Sequence, residues 1–289
     1  MQFVAALAFS DPTHFVELAR TADACGWDGL AMSDHLIYPE DLRSPYPYSS
    51  DGRPYWSPST PWPDPWVSIG AMAAVTTRLR FLTNVYVLPA RDPILVAKAV
   101  GTAAVLSHDR VILGIGVGWM REEFDLLGHD FTTRGKRTDE AITVLRTLWQ
   151  GGMVEHRGRY YDFGRIQMSP TPTRPVPIYV GGMSGPALRR AACLGDGWIS
   201  GLYSTEELRG FIDRLRALRA ECGRAAEPFD ICVSCKDAFE PDGYRRLADI
   251  GVTTVLTMPW ALYGGSPTNL ADKQEGLARF ANDVIHRMR

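Results

Sequence analysis

The chain has 289 residues, 45% of them hydrophobic and 22% charged, and its formal net charge is −2. These values are ordinary for a soluble globular protein, and they exclude the broad basic field that attracts nucleic acid or an anionic membrane. No apolar run approaches the roughly 20 residues of a membrane helix, and the apolar start, 1–9, lacks the basic region and cleavage site of a signal peptide.

Short apolar runs alternate with amphipathic helices along the chain, and a helix candidate follows each run. The eight predicted strands cover 2–7, 28–32, 79–87, 110–116, 177–181, 196–200, 229–235 and 252–258. Several are apolar nearly throughout, which is typical of strands buried on both faces of a parallel sheet. Eight such units predict an α/β fold, a closed (β/α)8 TIM barrel, as a single domain over 1–289. An open doubly wound sheet is the alternative, although no G-x-G-x-x-G motif follows the first strand.

Two helix starts can be located from their capping residues. Asp11 precedes Pro12, which suits the first position of a helix because its missing N–H needs no partner there. Ser204 and Glu207 form the spacing of a capping box. Both patterns predict helices that begin shortly after a strand.

Two longer segments interrupt the alternation. The connection 36–63 holds seven prolines, four tyrosines and two tryptophans. A connection of this length inside a compact domain is usually functional or disordered, and its aromatic content favours a lid or a pocket wall. The segment 151–176 is predicted to contain a small hairpin before the fifth strand.

The five cysteines include a C-x-x-C pair, Cys232 and Cys235. On a strand, two residues three positions apart point to opposite faces. We therefore expect free or buried thiols rather than a metal or redox site, in a reduced, cytoplasmic protein. No metal site is predicted.

In a (β/α)8 barrel the active site lies at the C-terminal ends of the strands. The second strand ends in Ser33, Asp34 and His35. A group that titrates near neutral pH suits proton transfer at a barrel mouth. The alternative is a turn in which Asp34 caps backbone groups and His35 packs under the lid.

The next strand ends also carry candidates. Asn84 could direct its amide at a cofactor ring or satisfy a buried neighbour, and Arg91 could pair with Asp92 at a helix start. Alternating glycines at 114, 116 and 118 remove side chains from one strand face, which allows a flat ring or another backbone to approach. Packing against the lid is the alternative.

A glycine-rich turn, 181–185, follows the fifth strand, and Pro186 then opens a helix. Free N–H groups at a helix N-terminus bind phosphate, and glycines give access to them. The hydroxyl of Ser184 adds a donor. Phosphate sites in these barrels favour the later strands, so this turn is a candidate phosphate site.

Together these features resemble the luciferase-like monooxygenase superfamily, in particular its oxidoreductases that use the deazaflavin coenzyme F420. The pieces that carry the resemblance are, in chain order, A-x-x-A-x-x-x-G-W-D-G-L at 19–30, S-D-H at 33–35, G-x-G-x-G-W-x-x-E-E-F at 114–124 with L-G at 127–128, R-G at 134–135 with D-E at 139–140, L-W at 148–149, G-G at 181–182 and G-D-G-W at 195–198. Their order and spacing cover nearly the whole chain.

The resemblance implies roles for the strand-end residues. Asp34 and His35 would lie beside the reactive ring, and Asn84–Val85 would occupy the place of a non-prolyl cis peptide behind it. The turn 181–185 would bind phosphate. The catalytic residues implied are His35 and Asp34, and the cofactor-binding residues are Asp34, Asn84, Val85, Gly116, Val117, Gly118, Trp119, Gly181, Gly182, Met183, Ser184 and Gly185.

Two departures from the family pattern limit what can be transferred. Val117 stands nearest the glutamate that serves as a proton donor in the sugar-phosphate dehydrogenase branch, which argues against that branch's mechanism and substrate. The segment 107–110 reads S-H-D-R where relatives usually have S-x-G-R, and only a change in the loop is expected.

The function expected on this basis is hydride transfer between F420 and a small organic substrate held under the lid. His35 would transfer a proton or polarise the substrate, Asp34 would orient His35 or bond the ring, and Trp119 would wall the pocket. The resemblance also implies a homodimer. An FMN-dependent monooxygenase that uses oxygen is the alternative. A non-catalytic flavin-binding barrel is a second, lesser alternative.

Overall fold

Eight parallel strands close into a barrel in the computed structural model, which describes residues 1–289. Their order around the barrel is β1, β2, β3, β5, β8, β9, β10 and β11, and β11 pairs again with β1. The barrel strands are β1 (Gln2–Ala6), β2 (Gly29–Met32), β3 (Arg80–Thr83), β5 (Val111–Gly116), β8 (Ile178–Gly181), β9 (Gly197–Tyr203), β10 (Asp230–Cys235) and β11 (Thr254–Thr257). A short strand, β4 (Tyr86–Val87), extends the pairing of β5, and β6 (Val154–Arg157) forms an antiparallel hairpin with β7 (Asp162–Ile166).

Helices follow the strands and surround the barrel. They are α1 (Phe15–Cys25), α2 (Pro65–Ala73), α3 (Pro93–Leu106), α4 (Arg121–Leu126), α5 (Arg134–Trp149), α6 (Gly185–Leu194), α7 (Thr205–Glu221), α8 (Pro241–Asp249), α9 (Pro259–Leu262), α10 (Leu270–Phe280) and α11 (His286–Met288). A π-helical turn, Ala281–Ile285, joins the last two. None of the helices combines the length and apolar character that crossing a bilayer requires.

The predicted TIM barrel is confirmed, and the closed parallel order excludes the open doubly wound sheet. Each of the eight predicted strands is present, and the predicted hairpin forms. The third predicted strand is divided between β3 and β4 at the peptide Asn84–Val85, which is cis. That peptide is the one the family resemblance implied.

Both predicted capping patterns are confirmed. Asp11 accepts a hydrogen bond from the Thr13 amide at 2.9 Å, although the first turn is a 3-10 turn that precedes α1. Ser204 and Glu207 form a reciprocal capping box at the start of α7. In the loop 107–110, Asp109 adopts a φ of 58°, the left-handed conformation that favours the glycine usual in relatives.

Two separate apolar layers make up the core. The larger cluster of 58 buried residues joins the outside of the barrel to the helices. Inside the barrel, every strand contributes one side chain to a second cluster, namely Val4, Ala31, Leu82, Ile112, Tyr179, Ile199, Cys232 and Leu256. This inner layer closes the barrel and forms the floor of any site above it.

The cysteines follow the expectation only in part. Cys232 and Cys235 are free and buried, as predicted. Cys193 and Cys222 form a disulfide between the ends of α6 and α7, with their Cα atoms 5.5 Å apart. The expectation that all the cysteines are reduced is therefore wrong. The disulfide depends on how two helices pack, and no local motif indicates it.

Candidate active site

The mouth of the barrel is lined mostly by small residues. Side chains alternate along a strand, so the residue two positions beyond each floor residue faces the same interior. Six of these positions, together with Gly116, which lies four positions beyond Ile112, define what we call the mouth ring: Ala6, Ser33, Gly116, Gly181, Gly201, Ser234 and Met258. All except Gly116 are half-buried, whereas the floor beneath them is buried. The barrel therefore holds a shallow recess above a closed floor.

Val85 occupies the part of this recess beside two of the glycines. A β-carbon built on Gly116 would lie 2.6 Å from Cγ2 of Val85, and one on Gly181 would lie 2.8 Å from its Cγ1. Real β-carbons do not approach other atoms so closely. The missing side chains therefore make room for Val85. Of the predicted alternating glycines, Gly114 is approached by another backbone, because a β-carbon there would collide with the carbonyl oxygen of Thr83, whereas Gly116 faces a side chain.

Asp34 is held by a buried ion pair. Its two oxygens accept bonds from Nη1 and Nη2 of Arg91, both at 2.7 Å, and Oδ2 also accepts the Val87 amide at 2.9 Å. Burial raises the pKa of Asp34, whereas the charge and bonds of Arg91 and the Val87 amide lower it. The expected pair between Arg91 and Asp92 is wrong, because Asp92 caps α3 at the Ile94 amide.

His35 contacts a different carboxylate. Its Nδ1 lies 3.2 Å from Oε1 of Glu123, and the same oxygen accepts the Leu36 amide at 2.7 Å. The side chain of Glu123 is only 1% exposed. The structure therefore assigns the contact with His35 to Glu123 instead of Asp34. Glu123 belongs to the matched motif, but no role was predicted for it.

Aromatic residues of the segment 36–63 cover His35. The ring centroids of Trp56 and Trp62 lie 5.1 and 5.0 Å from the imidazole, and Trp119 lies 5.7 Å from it on another side. The side chain of His35 is 9% exposed. The prediction of a lid or pocket wall agrees with this placement, and we call 36–63 the lid.

The start of α4 holds the lid in place. Glu122 accepts the backbone amides of Arg43 at 2.8 Å and Ser44 at 3.0 Å. The Ser44 hydroxyl in turn accepts the amide of Arg121 at 3.0 Å. Two neighbouring glutamates, at 122 and 123, thus contact two different parts of the lid.

The glycine-rich turn lies at the same end of the barrel as His35. Ile115 of β5 is in register with Val180 of β8, so Gly116 and Gly181 are neighbours at the mouth and the turn follows directly. Gly182 has a φ of 115°, which favours glycine. Ser184 caps α6, and Gly185 has open space around it. The turn therefore leaves the N-terminus of a ten-residue helix accessible to an anion.

The remaining predicted residues also lie at the mouth. Ser33 donates a hydrogen bond to the carbonyl of Asn84 at 3.0 Å. Gly118 has a φ of 79°, and its carbonyl accepts a bond from Nε of Arg134 at 3.1 Å. Val117, Trp119 and Met183 are half-buried in the adjoining turns. The predicted candidates thus converge on one end of the barrel.

Sequence reasoning missed three features of this site. Glu123 stands in a recognisable motif, and the mouth ring follows from the two-residue period of the strands once the floor is known. The pairing of Arg91 with Asp34 spans 57 positions, and no local pattern reveals it.

Comparisons with known proteins agree with this architecture. The family model for luciferase-like monooxygenases matches residues 3–242. An uncharacterized protein of Mycobacterium tuberculosis is 40% identical over 100% of both chains. An F420-dependent glucose-6-phosphate dehydrogenase of Microbacterium testaceum is 30% identical over 94% of this chain and 76% of the relative.

A solved structure shares the fold. An F420-dependent secondary alcohol dehydrogenase, solved with an F420-acetone adduct, superposes with a TM-score of 0.78 over 100% of this chain and 99% of the other, at 18% identity. That likeness shows the fold, whereas the family model and the 40% identical relative show the family. The chain belongs to the luciferase-like monooxygenase family.

Proposed function

We propose that this protein is an F420-dependent oxidoreductase that acts on a small organic substrate. The observation that carries the proposal is the recess at the barrel mouth, where the mouth ring and the open turn 181–185 lie side by side. A planar ring fits against small residues, and a phosphate fits the accessible start of α6. When bound, the deazaflavin accepts or donates a hydride at its C5 carbon.

The residues of this chain would hold the cofactor at two places. The turn 181–185 would bind its phosphate through backbone amides and the Ser184 hydroxyl. Asn84, Val85 and 116–119 would contact the ring, with Val85 supported from behind by the two glycines. Asp34 would bond the ring edge while Arg91 keeps its carboxylate in position.

His35 would handle the proton that accompanies hydride transfer. Glu123 engages its Nδ1, and Nε2 makes no hydrogen bond within the protein. That nitrogen is therefore the one free to exchange a proton with a substrate hydroxyl or carbonyl. The tryptophans of the lid exclude water from this contact, and their apolar surface favours an apolar or aromatic substrate.

A titration of the purified protein with F420 and with FMN tests the cofactor. We expect F420 to bind. Its absorbance should change when the oxidised form is reduced by a suitable alcohol, or when the reduced form is oxidised by a suitable enone, from a substrate panel. Tight FMN binding with no response to F420 would support the alternative, an FMN-dependent monooxygenase. Binding of either cofactor without turnover of any substrate in the panel would leave the non-catalytic barrel as the better description.

Val117 separates this chain from the glucose-6-phosphate dehydrogenases among its relatives. Val117 stands nearest the glutamate that serves as a proton donor in that branch, and valine cannot donate a proton. Glucose 6-phosphate is therefore expected to be a poor substrate. The same panel should include it, and efficient oxidation of glucose 6-phosphate would contradict this part of the proposal.

A homodimer is proposed from the outer surface of α2 and α3. Val67 is 75% exposed, Leu95 70% and Leu106 64%. Exposed aliphatic side chains grouped on two adjacent helices mark an interaction surface. A second copy of the chain, which presents the same apolar face, would cover it by two-fold symmetry.

A further inference from the structure

Glu123 is a buried carboxylate that contacts both His35 and the start of the lid. One oxygen, Oε1, accepts the Leu36 amide at 2.7 Å and faces Nδ1 of His35 at 3.2 Å. We propose that Glu123 is a positioning residue that fixes the tautomer of His35 and joins this imidazole to the first residue of the lid. The inference rests on the proposed role of His35 and deepens it.

The chemistry of the two groups dictates the tautomer. An ionised carboxylate only accepts hydrogen bonds, so the facing Nδ1 must carry the hydrogen. Nε2 of the neutral ring then has a free lone pair and serves as the base toward the recess. After it takes up a proton, the imidazolium keeps the bond to Glu123 and gains the attraction of the opposite charge.

The second bond of Glu123 connects this chemistry to the lid. Leu36 follows His35 directly and is the first residue of 36–63. Because one oxygen serves both groups, a displacement of the lid start moves the acceptor on which the His35 tautomer depends. The position of the lid and the tautomer that lets His35 act as a base are therefore linked through Glu123.

Glu122 provides a matched comparison on the same turn of α4. It also accepts lid amides, those of Arg43 and Ser44, but it makes no contact with His35. Substitutions at 122 and 123 thus both loosen the lid, whereas only the change at 123 acts on the imidazole. The pair separates positioning of His35 from a general effect on the lid.

Two-bond ¹H–¹⁵N spectra of protein labelled with ¹⁵N-histidine test the proposal directly. The chain has six histidines, and the spectrum of His35→Gln identifies the His35 signals by their loss. In the wild type we expect the Nδ1–H tautomer, with Nε2 unprotonated. Glu123→Ala leaves no acceptor facing Nδ1, so we expect the Nε2–H tautomer to appear, and in Glu122→Ala the wild-type pattern to remain.

The kinetic outcome should follow the spectrum. Once a substrate is found, Glu123→Ala should lower kcat at least about tenfold, and at most by the roughly 10²–10⁴-fold that general acid–base catalysis supplies. Cofactor affinity should change less than twofold. A wild-type His35 in the Nε2–H form would overturn the proposal, and so would a Glu123→Ala spectrum identical to that of the wild type.

These readouts separate the inference from the proposed function. The wild-type spectrum needs only His35→Gln for its assignment, so it stays decisive even if Glu123→Ala fails to fold. It also needs no cofactor or turnover. Failure to bind F420 would overturn the proposed function alone, whereas the wrong tautomer would overturn the role of Glu123 alone.

Discussion

The side chain of Val85 fills the space that Gly116 leaves empty on the neighbouring strand. A β-carbon on Gly116 would lie 2.6 Å from Cγ2 of Val85, so the two residues form one unit on the floor of the recess. Val85 also packs on the inner cluster of the barrel. Its position therefore depends on the absence of a single methyl group.

Gly116→Ala should displace Val85 and disturb the cofactor site. We expect a loss of about 1–3 kcal/mol in the free energy of unfolding from overpacking and at least tenfold weaker F420 binding. Urea unfolding and fluorescence titration measure the two effects. Val85→Ala in the same chain should restore part of the stability, whereas equal losses in the single and double variants would contradict the pairing. Gly210→Ala, where the added methyl meets nothing within 4 Å, is the control.

Arg91→Met should leave the Asp34 carboxylate buried without its cation. Breaking a buried pair from one side costs about 3–5 kcal/mol, and urea unfolding at neutral pH should show a loss of that order. Arg43→Met breaks an exposed pair, with side chains 81% and 68% exposed, and should change stability by less than about 0.5 kcal/mol.

The Arg91→Met loss should depend on pH. Burial raises the pKa of Asp34, and without the guanidinium nothing charged opposes that rise. The folded variant then binds a proton at pH values where the unfolded chain, with a pKa near 3.8, has released it. Its stability should fall relative to the wild type as pH rises from the Asp34 pKa of the folded wild type to the higher one of the folded variant, and a difference independent of pH would contradict this account.

Trp62→Ala should expose His35. The tryptophan centroid lies 5.0 Å from the imidazole, and its removal opens one side of the aromatic cover. We expect diethylpyrocarbonate to modify His35 several-fold faster, and KM for an apolar substrate to rise while F420 affinity stays unchanged. The double variant Trp62→Ala/His35→Gln should lose the additional modification. An unchanged rate would mean that the lid does not limit access.

Lys273→Met should stabilise the protein at neutral pH. Lys273 is fully buried, and burial lowers its pKa from the ordinary 10.5 while the charge of Asp11 opposes the shift. Below the lowered value both folded and unfolded states hold the proton, and the folded state bears a buried charge. As pH rises, the folded state loses its proton before the unfolded state does, so the cost of the buried charge declines. Above a pH of about 10.5 both states are neutral and the cost is absent. The advantage of the variant should therefore shrink as pH rises, and a constant difference would contradict this explanation.

Leu95→Asp should dissociate the proposed dimer. A charge placed on the apolar face of α3 would be buried in the interface at a cost of several kcal/mol. Light scattering should give twice the chain mass of 32.1 kDa for the wild type and the single mass for the variant. Met153→Asp alters an exposed apolar residue on the hairpin, 57% exposed, and should leave the dimer intact. A monomeric wild type would contradict the interface.

The fold was open to prediction because each unit carries its own local signal. Buried parallel strands are apolar runs, and helix starts such as Asp11 and Ser204 carry short capping patterns. The family resemblance also predicted the cis peptide at Asn84–Val85. Boundaries differed by a few residues, most clearly at β9, which continues to Tyr203.

The sequence predicts where the site residues lie, but it does not predict which residues they contact. His35 and Asp34 follow a strand, so their place at the mouth is a consequence of the barrel. Their contacts with Glu123 and Arg91 join residues 88 and 57 positions apart, and these depend on how α4 and α3 dock. The disulfide between Cys193 and Cys222 has the same origin.

The floor of eight side chains has a kinetic consequence. Because the barrel is sealed from below, coenzyme and reactant must enter and leave through one opening. The planar ring would rest deepest, on Val85. It would therefore bind before the organic compound and leave only after that compound has left. Initial-rate measurements should then show a compulsory-order pattern, in which a dead-end analogue of the organic compound competes with that compound and is uncompetitive toward F420.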